Sequence, residues 1–366
     1  KRQVVMDTLS FLEKLTAHPE YQGQIVHIEH LPPREAGYAD LDAPFTPSLQ
    51  HCLKEHGLLP LYTHQAEAVN LARQGRNVII ATSSASGKTL CYNIPVLEAL
   101  LTDRLSRAIY LFPTKALAQD QLRSLTELFQ PSLFRMGEFA TFDGDTPQEE
   151  RAEIKRRARI ILSNPDMLHL GILPNHQAWA RFLRNLRYVV VDEAHIYRGV
   201  FGSHVACVLR RLRRLCDLYG SKPQFICSSA TIANPGEHAE KLVGLPFAVV
   251  SNDGSPHGRK EFVFWNPPII DEAKATRRSA NSEATNLFVE LVSRSIRTLA
   301  FARTRRLTEL IYVYSRERLA LTTRQLGQCI KPYRAGYLPQ ERRQIEQELF
   351  RGELLGVVAT NALELG

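Results

Sequence analysis

The sequence predicts an α/β protein: two mostly parallel sheets in tandem, the second cut short, behind a short N-terminal helical extension. Three observations predict it. From about residue 59 onward, short apolar runs suited to buried strands alternate with helical patterns. Such alternation builds a parallel sheet with right-handed crossovers. A Ser-, Asp-, Gly- and Pro-rich stretch, residues 251–258, divides the alternation in two. Finally, Ser86-Gly87-Lys88-Thr89 and Asp192-Glu193-Ala194-His195 each follow an apolar run, at the strand ends where open α/β sheets bind ligands.

Taken in order, residues 1–58 hold one helical pattern, Val4 to Leu15, and then prolines at 32, 33, 44 and 47. They read as an extension packed on the domain that follows. Residues 59–250 form the first unit, with strand candidates at 77–82, 107–112, 138–142, 159–163, 187–192, 223–228 and 247–250. Residues 251–258 read as a linker. The second unit, 259–366, predicts a strand at 261–265, a polar insertion and a helix from about 282. It continues with a strand at 298–302, helices at 304–319 and 339–350, and a strand at 355–360. The chain lacks an initial Met and stops at Gly366 directly after a strand, so a piece of a longer protein is expected.

With 366 residues, 44% apolar and 23% charged, the chain can bury the cores of two or three domains. A formal charge of +8 permits a nucleic-acid partner. No apolar stretch reaches membrane-spanning length, so no membrane partner is expected. Cys52, Cys91, Cys207, Cys216, Cys227 and Cys329 form no C-x-x-C pair, which signals neither a zinc site nor a disulfide framework. A reduced compartment fits: the cytosol of a bacterium, or the nucleus of a eukaryote.

The loop Thr82-Ser83-Ser84-Ala85-Ser86-Gly87-Lys88-Thr89 is an imperfect Walker A, with Thr82 where the consensus has its first glycine. Its small residues still let backbone N–H groups approach phosphates. Lys88 would neutralise the β- and γ-phosphates, and Thr89 would meet Mg²⁺. Asp192, after Val189-Val190-Val191, would hold the same ion, and Glu193 would activate water. ATP and Mg²⁺ are therefore the expected cofactors.

Further strings fall at predicted strand ends: Leu61-Tyr62-Thr63-His64-Gln65, Phe112-Pro113-Thr114-Lys115-Ala116, Thr141-Phe142-Asp143-Gly144-Asp145, Ser163-Asn164-Pro165, Ser228-Ser229-Ala230-Thr231, Phe301-Ala302-Arg303-Thr304-Arg305 and Val358-Ala359-Thr360-Asn361 through Gly366. In this order, over roughly residues 59–366, the chain resembles the superfamily 2 helicases from their Q-motif to motif V. More narrowly, Ala81 to Tyr92, His195 to Val205 and Tyr333 to Pro339 resemble the Hrq-type and mitomycin-repair DNA helicases, relatives of RecQ.

The resemblance implies two RecA-like domains and a 3′-to-5′ DNA helicase or translocase acting in repair on single-stranded or forked DNA. It implies that Gln65 reads adenine and that Tyr62 stacks on it, although Tyr62 equally suits the core. It implies that His195 couples the γ-phosphate state to Ser229 and Thr231. Thr114, Lys115, Ser163, Asn164, Arg303, Thr304 and Thr360 become candidate nucleic-acid contacts. Ser, Thr and Asn at such junctions also serve as plain helix caps. The transition-state arginines of motif VI would follow motif V, beyond Gly366. A DEAH-type RNA helicase is the rival reading. For this length of chain, a nucleotide-responsive nucleic-acid-binding module is another. Arg210, Arg211, Arg213 and Arg214 mark an amphipathic helix with a solvated basic face.

Overall fold

A computed structural model describes residues 8–322 and 325–363. The part of the predicted first helix before Thr8, and Glu364-Leu365-Gly366 of the motif V string, lie outside the described residues. The chain forms two compact units: residues 33–258, and residues 8–32 together with 259–363.

The strands, in chain order, are β1 (Ile25–Leu31), β2 (Val78–Ala81), β3 (Arg107–Leu111), β4 (Phe139–Thr141), β5 (Ile160–Ser163), β6 (Leu186–Val191), β7 (Gln224–Ser229), β8 (Ala248–Val250), β9 (Lys260–Trp265), β10 (Ile269–Asp271), β11 (Thr276–Arg277), β12 (Thr298–Phe301), β13 (Ile330–Tyr333) and β14 (Gly356–Ala359).

The 33–258 unit is a seven-stranded parallel sheet in the order β4-β5-β3-β6-β7-β2-β8. Its central strands are continuous apolar runs because both faces are covered. Ile80, Tyr110, Leu162 and Val190 pack on one face, and Ile79, Ile109, Ile161 and Val189 on the other. The chain leaves β2 and crosses β7 and β6 to reach β3, so the order reverses beside β2. Open sheets place ligands at such a reversal. The pairs Ala81↔Ser229 and Val191↔Cys227 bring the ends of β2 and β6 to opposite sides of the last three residues of β7, with Val191 two residues short of the Ala81 level. The β2 loop and the β6 loop therefore stand two strand spacings apart, about 9–10 Å.

The second unit has a three-stranded parallel sheet, β12-β14-β13. Val358 faces a cluster with Phe288, Val292 and Ile311, while its neighbour Val357 faces Tyr333, Ile345 and Leu354. Gly356 is required where helix Ala280–Ser293 crosses, because a Cβ there would stand 2.5 Å from Phe288 Cζ.

Three boundary expectations are corrected. The strand at 261–265 does not join the parallel sheet: β9 pairs antiparallel with β1, with Ile28 opposite Val263. Residues along β9 alternate between exposed and half-buried, the pattern of a ribbon covered on one face. The N-terminal 8–32 stretch groups through this ribbon with the second unit, and the extension joins the first unit only from Pro33. Residues 251–258 are not a free linker but are bonded into the first unit.

Candidate nucleotide site and nucleic-acid edge

Strand β2 ends at Ala81, and the loop closes on Gly87, whose φ of 81° caps helix Lys88–Thr102. Ala85 is also left-handed, at φ 60°. Ser83, Ser84 and Ala85 are exposed at the loop tip, whereas Thr82 and Ser86 are buried and share a hydroxyl–hydroxyl bond of 2.7 Å. That bond closes the loop where Thr82 replaces glycine. Lys88 Nζ donates to Ser83 O at 2.7 Å and to Thr82 O at 3.2 Å, which folds the ammonium over the loop. A helix N-terminus, a turn with exposed N–H groups and a lysine make an anion site.

Three side chains fix this loop from behind. Gln65 Oε1 accepts from Tyr62 N at 2.9 Å, and its Nε2 donates to Gly87 O at 3.1 Å. Each polar atom of the amide is used once, so one acceptor site and one N–H remain. Tyr62 stacks on Tyr38 at 5.6 Å between centroids and on His64 at 6.0 Å. His64 is fully buried: Nδ1 accepts from Gly254 N, so the ring proton lies on Nε2 and is donated to Ser86 O at 3.0 Å. Burial holds its pKa below the usual 6.5, and the ring is neutral. Ser83 donates both its N–H and its hydroxyl to Asp253 Oδ2.

Asp192 leaves β6 with its carboxylate in place. Oδ1 accepts from Ser228 Oγ and from Glu193 N, and Oδ2 accepts from Tyr92 OH at 3.1 Å. Burial first, and Asp192's charge second, push the Tyr92 phenol well up, so it stays a donor. Thr89 neighbours Tyr92, so its hydroxyl and the Asp192 carboxylate face one side chain. Two oxygen donors at a phosphate-binding helix terminus suit Mg²⁺, a hard cation that keeps waters and takes substrate oxygens.

Glu193 adopts φ 50°, a conformation costing a non-glycine residue about 1–2 kcal/mol. Burial, then the neighbouring Asp192, raise its pKa above the usual 4.5, and Lys88 opposes them. His195 Nδ1 accepts from Ala230 N at 3.2 Å. This bond ties the Asp192-Glu193-Ala194-His195 turn to Ser229-Ala230-Thr231 on the adjacent strand. The His195 pKa is lowered, mainly by burial and then by Lys88. Glu193 Oε2 stands 3.2 Å from the same Nδ1. His238 holds the turn through Ala194 O at 2.8 Å. Ser229 is buried with its hydroxyl on Ala230 O, and Thr231 is exposed.

The nucleic-acid candidates divide. Leu111↔Ser163 places Thr114-Lys115 and Ser163-Asn164 on adjacent strands of the first unit. Thr114 Oγ1 accepts from Leu117 N and Asn164 Oδ1 from Met167 N, which makes both helix caps. Lys115 is exposed and pairs with Asp145 at 2.8 Å. Ser163 is corrected: it is 1% exposed and donates to Phe142 O at 2.6 Å, so its hydroxyl pins β5 to the end of β4. In the second unit, Phe301↔Ala359 brings Arg303-Thr304 and Thr360 to neighbouring strand ends. Thr304 Oγ1 caps Leu307 N, Thr360 is buried, and Arg303 is exposed.

Sequence reasoning missed His64, Tyr92, Ser228, His238 and Asp253. His64 is a lone histidine beside the glutamine that drew attention. Asp253 sat in a stretch whose composition reads as linker.

A Walker-type loop and an acid pair on strands flanking a third, bonded through His195, make the arrangement of a phosphate- and metal-binding nucleotide site. Residues 62–238 match the DEAD/DEAH box helicase family, and this segment of the chain belongs to that family. It is 47% identical over 93% of its length to the uncharacterized ATP-dependent helicase YprA of Bacillus subtilis, and spans 45% of that protein. To the ATP-dependent helicase hrq1 of Schizosaccharomyces pombe it is 44% identical over 97% of its length, and spans 34% of it. The crystal structure of the DUF1998 helicase MrfA bound to DNA and AMPPNP superposes with a TM-score of 0.91 at 44% identity, covering 99% of this chain and 49% of that one. The chain thus spans about a third to a half of these relatives. Yeast Dbp5 bound to RNA, 17% identical with a TM-score of 0.61, shares the fold.

Proposed function

We propose that the chain is the motor segment of an ATP-driven DNA helicase or translocase, running 3′ to 5′ along a single strand and serving DNA repair. The observation that carries this reading is the trio of loops on neighbouring strands: the Lys88 loop on β2, the Asp192-Glu193 turn on β6, and the Ser229-Ala230-Thr231 turn between them. The names of similar proteins, ATP-dependent helicases and a helicase bound to DNA and AMPPNP, support it.

In this reading the loop N–H groups and the helix N-terminus bind the phosphates, and Lys88 swings from the Ser83 and Thr82 carbonyls onto the β- and γ-oxygens. The free acceptor and N–H of Gln65 read the adenine edge. Thr89 and Asp192 would hold Mg²⁺, whose charge offsets that growing on the phosphates. Glu193, buried and raised in pKa, orients the attacking water and takes its proton. Loss of the γ-phosphate changes what Glu193 and His195 face, and the His195–Ala230 bond passes the change to the Ser229–Thr231 turn. Lys115 and Arg303, with the cap N–H groups near Thr114, Asn164, Thr304 and Thr360, grip phosphodiester oxygens without reading bases. A DNA partner places the protein where the genome is.

The test measures ATP turnover of the full-length protein with single-stranded DNA, with RNA of the same sequence and with neither, and then unwinding of duplexes with 3′ or 5′ tails. Stimulation by DNA and unwinding from the 3′ tail are expected. Stimulation by RNA instead would establish the RNA-helicase reading, and turnover indifferent to both would reject nucleic-acid coupling.

A further inference from the structure

Residues 251–258 run from the end of β8 to β9, and they are built into the nucleotide site. Gly254 exchanges backbone bonds with its surroundings: Gly37 N donates to Gly254 O at 2.9 Å, and Gly254 N donates to His64 Nδ1 at 3.2 Å. A Cβ on Gly254 would collide with the Thr63 hydroxyl and would lie 2.7 Å from Gly37 O and 2.8 Å from Thr63 N, so only glycine lets the strap lie against the start of helix Thr63–Arg73. Arg34 clasps it from outside, donating to Ser255 O through Nε at 3.0 Å and through its terminal nitrogen at 2.7 Å. The same guanidinium stands 3.2 Å from Asp253 Oδ1.

Asp253 links this strap to the phosphate loop. Its Oδ1 accepts from Ser255 N at 2.9 Å and from Ser255 Oγ at 2.6 Å. Its Oδ2 accepts from Ser83 N at 3.2 Å and from Ser83 Oγ. Burial opposes ionisation, but the hydrogen bonds from Ser255 and Ser83 outweigh it and hold the carboxyl well below the usual carboxylate range. An anion therefore already occupies one of the loop's backbone donors. Lys88 Nζ, which serves the β- and γ-phosphates in such loops, rests on Ser83 O, so Ser83 marks the terminal-phosphate end.

We propose that Asp253 is a positioning residue acting through Ser83: an internal anion that holds the terminal-phosphate end of the loop and hands Ser83's donors to an entering triphosphate. The proposal rests on the ATP-site reading above. The exchange follows from charge and counting. Ser83 offers one N–H and one hydroxyl, and both are given to Asp253. A triphosphate brings several negative charges beside that carboxylate and competes for the same donors. When Oδ2 lets go, Oδ1 stays on Ser255, so the released residue remains part of the strap. Without the Ser83 anchor the strap is held less firmly, so its own amides, Gly254 N on His64 and Ser255 N on Asp253, open to solvent more often and report the release. The strap continues directly into Arg259 and β9.

The test uses the full-length protein and its Asp253→Asn and Ser83→Ala variants. Binding of AMPPNP and of ADP is measured by calorimetry, and hydrogen exchange at Gly254 and Ser255 with and without each nucleotide. In the wild type, AMPPNP should speed exchange at both amides more than ADP does. Asp253→Asn, which keeps shape but loses charge, should bind AMPPNP about 3–10-fold tighter, with a smaller change for ADP and faster exchange before any nucleotide is added. Ser83→Ala, which keeps the N–H but takes the hydroxyl from carboxylate and triphosphate alike, should speed exchange at both amides before any nucleotide is added and narrow the difference between AMPPNP and ADP. Equal weakening of both nucleotides by either variant would make Asp253 merely structural and overturn the proposal. So would AMPPNP binding with unchanged exchange at Gly254 and Ser255, which leaves the ATP site standing. Failure of the wild type to bind either nucleotide would reject the ATP-site reading, and this proposal with it.

Discussion

Exchanging Glu193 for Gln replaces one carboxylate oxygen by an amide nitrogen and should separate binding from chemistry. The backbone there holds φ 50°. Gln pays the same conformational cost as Glu, about 1–2 kcal/mol, so the melting temperature should not fall. Neither the loop donors nor Lys88 depends on this side chain, so nucleotide affinity should stay within a few-fold. A general base contributes about 10²–10⁴-fold, which is about 2.7–5.4 kcal/mol of barrier, and the loss should appear in kcat. The pH profile gives a second signature. Burial and Asp192 raise the pKa of Glu193 above 4.5, and the base works only when deprotonated. Wild-type kcat should therefore fall as pH drops through that raised value, and the Gln variant should lack this acidic limb. The assay is DNA-stimulated phosphate release by the full-length protein across pH, beside nucleotide titration. A variant that keeps kcat but loses nucleotide affinity would show that Glu193 shapes the site instead of activating water.

Lys88→Ala should abolish turnover and leave the fold intact, since its present partners are two carbonyls of its own loop, Thr82 O and Ser83 O; wild-type turnover at normal thermal stability would refute the assignment. His64 is buried and neutral with a lowered pKa, so the unfolded chain takes up a proton first as pH falls. Its contribution is complete above about pH 6.5 and shrinks as pH drops toward the folded-state value. His64→Phe should flatten that part of the melting profile and cost about 1–3 kcal/mol for each group it orphans, Ser86 O and Gly254 N; an unaltered pH slope would show that other groups carry it. Ser163→Ala should lower stability by about 1 kcal/mol and leave nucleic-acid affinity alone, because its hydroxyl is committed to Phe142 O; lost affinity at wild-type stability would restore it as a contact. Asp145→Asn should strengthen DNA binding by releasing Lys115, with the gain shrinking as salt rises; weaker binding would remove Lys115 from the interface.

What was legible in the sequence is what local pattern and spacing encode. A buried parallel strand must be apolar throughout, so Val78-Ile79-Ile80 and Val189-Val190-Val191 announce themselves, and the polar residues directly after them must lie at the ligand edge. Asp192 and Glu193 become candidates by that rule, and Lys88 and Thr89 by that rule together with the Walker A spacing. Strand partnership is not local. The run Ile25–Leu31 sits among prolines, and its partner lies more than two hundred residues later, so β1 and the antiparallel fate of β9 could not be read from either segment. The same holds for polar satisfaction. Ser163 and Asn164 look alike as junction residues, yet one hydroxyl is sealed under Phe142 and the other side chain caps an open turn.

Asp253 makes the point most sharply, because the features that disguise it are those its task demands. A strap that crosses the phosphate loop must turn tightly, approach backbone at Gly37 and Thr63 without a side chain, and bond through short polar groups. Gly, Ser, Asn, Asp and Pro meet those demands, and they are also the residues of a linker. Composition registers the backbone requirement and is blind to the partner. The distinction appears only when Ser83, 170 positions earlier, is found with both donors on that carboxylate. Chemistry that depends on two distant segments meeting is therefore where a sequence reading fails first, and where a charge-neutral, shape-conserving substitution such as Asp253→Asn is most informative.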